Sequence, residues 1–166
     1  MNSFTNLLLN TDSYKCSHYL QYPEGTTNLY SYIEARGGQF PSTLFFGIHG
    51  FIRKYLSFPI TKSDVFEAEE IITSHGLPFN RDNWLDLITK YEGYLPIHIF
   101  SVPEGSVIPI SNVLLSICAT DDKFFWLVSY LETALLRAIW YPTNVATVSW
   151  NIKKIIKKIF GRNRNT

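Results

Sequence analysis

The spacing of apolar residues changes several times along the chain, and each change marks an element. The opening reads as a polar helix that Thr11 or Asp12 can cap and Tyr22-Pro23 closes. From Thr27 to Ala35, Tyr, Leu, Ile and Thr dominate, which predicts a strand that Gly37-Gly38 breaks. Ile48, Phe51, Ile52, Tyr55 and Leu56 then recur at helical spacing. A second helix is predicted from about Ser63 to His75, striped by Val65, Ala68, Ile71 and Ile72, with Gly76 where a C-terminal cap belongs. A short third helix carries Trp84, Leu87, Ile88 and Tyr91 and ends near Gly93.

Between Leu95 and Ala119 the period falls to two. Leu95, Ile97 and Ile99 alternate with Pro96, His98 and Phe100, Pro103-Glu104-Gly105 makes a turn, and Val113-Leu114-Leu115 is a buried run. Short antiparallel strands are expected here. A long helix follows from about Asp121 to Ile139, with Phe124, Leu127, Val128, Leu131 and Leu135 inward, and Pro142 is expected to end it. In the last segment Ile152, Ile155, Ile156 and Ile159 keep helical spacing opposite Lys153, Lys154, Lys157 and Lys158, before a polar tail from Arg162 to Thr166. The chain divides accordingly into residues 1–150, one domain, and residues 151–166, a basic helix and tail.

Composition narrows the class. With 166 residues, 46% hydrophobic and 17% charged, the chain suits one globular domain and not a disordered one. A net charge of +1 gives no global pull towards nucleic acid or an anionic membrane. Six of the 15 basic residues do cluster between Lys153 and Arg164. Four lysines on one helical face read first as a solvated surface, so membrane or nucleic-acid binding by this helix is the weakest of the functional readings. Cys16 and Cys118 make neither a metal pair nor a disulfide framework, which fits a reducing compartment. There is no basic segment leading an apolar run at the start and no stretch long enough to span a bilayer. The expectation is a soluble cytoplasmic protein without membrane or nucleic-acid partners.

Self-contained chemistry is absent from the motifs. No glycine-rich phosphate loop, HExxH, CxxC or nucleophile elbow occurs, and His18, His49, His75 and His98 are scattered over different elements. Two places stand out. Thr11-Asp12-Ser13-Tyr14-Lys15 sets an acid, hydroxyls and an aromatic ring at a helix start, where free N–H groups suit an anion or polar ligand. Tyr14 could stack on a flat heterocycle, or simply be core, with Asp12 only a cap. Arg36 stands at a strand end beside flexible backbone and could grip phosphate with a bidentate fork, or lie solvated on the surface.

The same residues carry a resemblance. TDSYKCSHYLQYP from Thr11 to Pro23 and YSYIEAR from Tyr30 to Arg36 resemble the opening of nicotinamide phosphoribosyltransferases. FFGIHGFIRKYL, YEGYLPIHIFSVPEGSVIPISNVLLSI and WLVSYLETALLRAIWYPTNVAT match in the same order, so the resemblance runs from about Asn6 to about Lys158. It implies an α+β fold, a mostly antiparallel sheet with flanking helices. This is the N-terminal domain of a type II phosphoribosyltransferase without its α/β barrel. Residues 151–166 become the start of a truncated element. The loop from Arg36 to Leu44 looks shorter than in vertebrate-like members, and Ile159 to Thr166 do not resemble the family continuation.

The resemblance also implies an activity: nicotinamide and phosphoribosyl pyrophosphate give nicotinamide mononucleotide, a step of NAD salvage. Sites in such enzymes form at a subunit interface. Tyr14 falls on the tyrosine that stacks on nicotinamide, Asp12 on the acid near it, and Arg36 on an arginine that contacts phosphate. Magnesium accompanies phosphoribosyl pyrophosphate, and no cofactor is expected on this chain alone. The remaining catalytic groups come from later sequence. Two readings follow: part of a phosphoribosyltransferase, inactive alone and needing a homo-oligomer or a barrel-containing chain, or a non-catalytic remnant that pairs with a full-length homologue.

Overall fold

Strand β5 (Val113–Ala119) is the middle strand of a three-stranded sheet, and Leu114, Leu115, Ser116 and Ile117 are accordingly all buried in succession. In the computed structural model, which describes residues 6–162, β5 is flanked by β1 (Tyr30–Glu34) and β3 (Ile97–Ser101), both antiparallel. Ile33 stands opposite Leu115, and Ile99 opposite Ile117, so the apolar positions read from the period-two pattern meet across the strands. A second, two-stranded ribbon pairs β2 (Ser42–Leu44) with β4 (Val107–Pro109).

Four α-helices surround these strands: α1 (Ile48–Phe51), which runs into a π-helical turn over Ile52–Leu56, α2 (Lys62–Ser74), α3 (Arg81–Tyr91) and α4 (Leu127–Arg162). This is the α+β, antiparallel architecture expected from the sequence, with no α/β barrel among the described residues. The start of α2 is fixed by a reciprocal cap. The Thr61 N–H donates to Asp64 Oδ2 at 2.8 Å, and Asp64 N–H donates to Thr61 Oγ1 at 3.3 Å. No helix of the described residues is long and apolar enough to cross a membrane.

Two apolar clusters form the core. One lies between the sheet and α4, with Phe45, Leu115, Leu131 and Leu135 fully or almost fully buried. The other gathers Trp84 and Leu87 of α3 and Val65 and Ala68 of α2 around Phe124, Trp126 and Tyr130. The first turns of α4 belong to both, because Leu127 and Tyr130 face one cluster and Val128 and Leu131 the other.

Two local expectations fail. Pro142 does not end the long helix, which continues to Arg162. Proline removes the donor that would bond the carbonyl four residues back, here Ala138. Gly47 (φ +119°) packs its bare Cα against that carbonyl; a Cβ there would lie 2.3 Å from the Ala138 oxygen. Thr143 Oγ1 accepts from Phe46 N–H at 3.1 Å and donates to Phe46 C=O at 3.0 Å, while Thr147 Oγ1 accepts from Leu44 N–H at 2.9 Å. The β2–α1 connection thus splints the helix across its proline. Residues 151–162 continue α4, and the tail from 163 onward lies outside the described residues.

The second failure is at the opening. Ser13–Leu20 winds as a 3-10 helix, and Asp12, in the cap position with extended backbone, makes no side-chain cap. Neither does Thr11. Both side chains turn instead to α4, Thr11 to the Tyr130 carbonyl and Asp12 to Thr133. The closure before Tyr22-Pro23 holds, with Leu20 the last helical residue.

Candidate functional site

The Ser13–Leu20 helix is riveted to one stretch of α4. Thr11 Oγ1 donates to Tyr130 C=O at 2.9 Å, and Thr133 Oγ1 donates to an Asp12 carboxylate oxygen at 2.7 Å. His18 Nδ1 lies 2.7 Å from Ser129 Oγ, and Lys15 Nζ forms an ion pair with Glu132. Lys15 is only 5% exposed, whereas Glu132 is half-exposed. A buried ammonium persists only with a partner, so the pair fixes the helix in position.

That fixing sets Tyr14. Its ring is more than half exposed, with the His18 ring edge-on at a centroid distance of 5.1 Å and the Lys15 ammonium 5.1 Å from its centre. One face is therefore held while the ring stays open to a planar ligand. Burial, and then the Lys15 charge, push His18 below the ordinary imidazole range, with Glu132 opposing. His18 is neutral at pH 7 and serves as a spacer for the tyrosine.

Arg36 lies two residues beyond β1, exposed. It borders a groove of about 600 Å³ between β1 and α4, whose floor includes Ile117 and Val128 and whose far wall includes Glu132 and Leu136. Glu132 therefore belongs both to the anchor of the Tyr14 helix and to the wall of the Arg36 groove. Of the three residues singled out in the sequence, Asp12 bonds Thr133 of α4 and Arg36 borders the groove lined by Val128, Glu132 and Leu136, whereas Tyr14 touches neither and is linked to α4 through its neighbours Lys15 and His18. Arg36 also has the flexible Gly37-Gly38 backbone after it, free of contact where a Cβ would stand.

Sequence reasoning missed Lys15, His18, Glu132 and Thr133 as the supports of this arrangement. Each lies more than 110 residues from its partner, so no local pattern connects them. Cys16 beside them is buried, and burial raises its thiol above the usual range while Tyr130 partly offsets the rise. Burial likewise pushes the Tyr130 phenol well up. Neither is a reactive group; Tyr130 donates to Leu8 C=O at 2.6 Å. No group of three or more His, Cys, Asp or Glu side chains among the described residues is arranged to hold a metal ion.

Comparison with known proteins gives the family and the fold. Residues 6–99 match the family model described as nicotinamide phosphoribosyltransferase, N-terminal domain. A nicotinamide phosphoribosyltransferase of Xanthomonas campestris is 49% identical over 162 residues, which is 98% of this chain and 34% of that protein. One of Acinetobacter baylyi is 29% identical over 161 residues, 87% of this chain and 32% of that protein. The chain thus spans about a third of the length of these relatives. In fold, it resembles the crystal structure of human nicotinic acid phosphoribosyltransferase, with a TM-score of 0.60 and 24% identity over 82% of this chain and 26% of that one.

Proposed function

The chain belongs to the nicotinamide phosphoribosyltransferase N-terminal-domain family, and from that premise we propose that it supplies the nicotinamide-stacking and phosphate-gripping side of a shared site. The reaction is the transfer of the phosphoribosyl group of phosphoribosyl pyrophosphate to nicotinamide. The ring nitrogen of nicotinamide bonds to the anomeric carbon, and pyrophosphate leaves. The single observation that carries the reading is that Glu132 of α4 both anchors the helix bearing Tyr14, through Lys15, and lines the groove that Arg36 borders.

Each residue has a role that its setting permits. Tyr14 offers an open π face for the nicotinamide ring. Arg36, on exposed backbone at the groove, offers a planar fork for phosphate that lysine cannot reproduce. Asp12 stays bonded to Thr133 and holds the polar rim beside the ring. Magnesium enters with phosphoribosyl pyrophosphate as part of the substrate, and these residues hold none of it. The groups that stabilise charge and position the second substrate belong to the two thirds of the relatives' length that these residues do not match, so these residues by themselves form no product.

The test reconstitutes the pair: this chain, with and without the barrel portion of the Xanthomonas relative, assayed for nicotinamide mononucleotide. Product is expected only from the mixture. Tyr14→Ala raises the KM for nicotinamide at least about tenfold, Tyr14→Phe is mild, and Arg36→Lys raises the KM for phosphoribosyl pyrophosphate alone, by about tenfold for one lost charged hydrogen bond. Product from the isolated chain that Tyr14→Ala abolishes overturns the need for a barrel. No product from the mixture, despite binding of a full-length homologue, favours the remnant reading.

A further inference from the structure

Among the residues that border the groove between β1 and α4, Glu34, Arg36 and Glu132 are charged, two acids and one base that sum to one negative charge. By themselves they oppose a phosphate entering the groove. Lys15 alters that sum. Its ammonium pairs with Glu132, yet Lys15 is only 5% exposed and does not line the groove, so it meets the carboxylate from within the protein. Its surroundings leave it to Glu132: burial and the Lys15 charge keep His18 neutral, and the Asp12 carboxylate bonds Thr133. Stability is a weak reason for such a pair. Burying an ammonium costs about as much as the pairing returns, and apolar replacements of buried ion pairs often hold a fold as well. What a neutral anchor would not supply is a positive charge directly behind a groove wall that carries a carboxylate.

Resting on the reading of this groove as the phosphate side of the site, we propose that Lys15 is its charge-balancing residue. Acting through Glu132, it keeps the groove wall from repelling the phosphate that Arg36 grips. Lys15 itself touches no substrate. With it the charges sum to zero, and the guanidinium fork of Arg36 is the local attraction. Without it, Glu132 stands unpaired beside a ligand of several negative charges. The effect on affinity is on the order of tenfold for one unit of charge at the effective dielectric of a half-exposed site. This role differs in sign from a fastening role. If the pair only held the Ser13–Leu20 helix, loss of either partner would weaken the site. If it balances charge, loss of the lysine weakens phosphate binding and loss of the carboxylate strengthens it.

The probe is inorganic pyrophosphate, titrated into the full chain at low salt and followed by calorimetry. Lys15→Met, which keeps the unbranched stem, is expected to weaken binding on the order of tenfold. Glu132→Gln is expected to tighten it severalfold, and the double variant to bind as the wild type does. Raising the salt to about 0.5 M should bring the variants together, because screening removes the difference. Weaker binding in both single variants overturns the proposal and leaves the pair a fastener. So does an unchanged Lys15→Met titration while Arg36→Lys still weakens binding; the phosphate reading of the groove then survives. No binding of pyrophosphate by either the wild type or Glu132→Gln overturns that reading and the proposal together. Should Lys15→Met lose its far-ultraviolet spectrum, the sign of the Glu132→Gln effect decides alone.

Discussion

The two halves of α4 have similar apolar periodicity and opposite fates. From Leu127 to Ile139, Leu127, Val128, Leu131, Leu135 and Ile139 are all buried, against the sheet and against α2 and α3. From Trp140 to Phe160 most apolar residues are exposed, Pro142, Ala146 and Trp150 being half-buried, and the fully buried positions are Thr143 and Thr147. Periodicity shows that a helix has an apolar face. Whether the face is covered depends on what folds beside it, and only the first half has a sheet to lie on.

Truncation tests this contrast most sharply. Leu131→Ala should destabilise the fold by about 2–5 kcal/mol, because a buried side chain leaves a cavity. Ile155→Ala, an equivalent loss in the second half, should change stability by less than about 0.5 kcal/mol in dilute, monomeric protein. Urea unfolding of both variants decides it; equal effects would mean that the second half is covered within the chain.

The boundary between the halves is the next place to press. Gly47→Ala should cost about 3 kcal/mol, since the residue combines a left-handed φ with a Cβ driven onto the Ala138 oxygen. Thermal melting reads the loss. Tolerance of alanine would show that the helix can part from the β2–α1 connection, and the two halves would then be independent.

A smaller effect concerns how the covered half is entered. Asp121, ahead of α4, accepts from Lys90 Nζ, from Tyr91 Oη at 2.6 Å and from Lys123 N–H at 2.9 Å. These bonds, Lys90 first, hold its carboxyl down at about 2. A carboxyl depressed in the fold stabilises it above the unfolded value of about 3.9, and the contribution fades as pH falls from there through about 2. Asp121→Asn keeps an oxygen for the Lys123 N–H but removes the charge that Lys90 and Tyr91 bond, and should cost about 1 kcal/mol at neutral pH. The gap between wild type and variant should narrow in acid unfolding below about pH 4. A constant gap across that range would remove the ionised carboxylate from the account.

Much of this was legible in the sequence, for a physical reason. α2, α3 and the β3–β5 pairing rest on local periodicity, and they stand where the pattern put them, to within a few residues at their ends. The candidate site was singled out only by likeness to a family. On spacing alone, Tyr14 and Arg36 are an ordinary aromatic and an ordinary surface cation. The misreadings share a cause. Asp12 looks like a cap and Pro142 looks like a terminator because each rule considers neighbours along the chain. Thr133 and Gly47, which decide the outcomes, are about a hundred residues away. Lys15 is the clearest case: a lysine in a polar run, buried because Glu132 arrives from the far end of the fold.

Pro142 gives α4 a mechanical character. The helix is a beam about 54 Å long, and the missing bond at Ala138 is a notch roughly a third of the way along it. The anchors of the Tyr14 helix, at Ser129 to Thr133, lie on one side of the notch, and the exposed apolar residues of the second half lie on the other. A load applied to that half would bend the beam at the notch, with Gly47 and Thr143 acting as the fulcrum. The short arm that carries the tyrosine would stay still while the long arm swings.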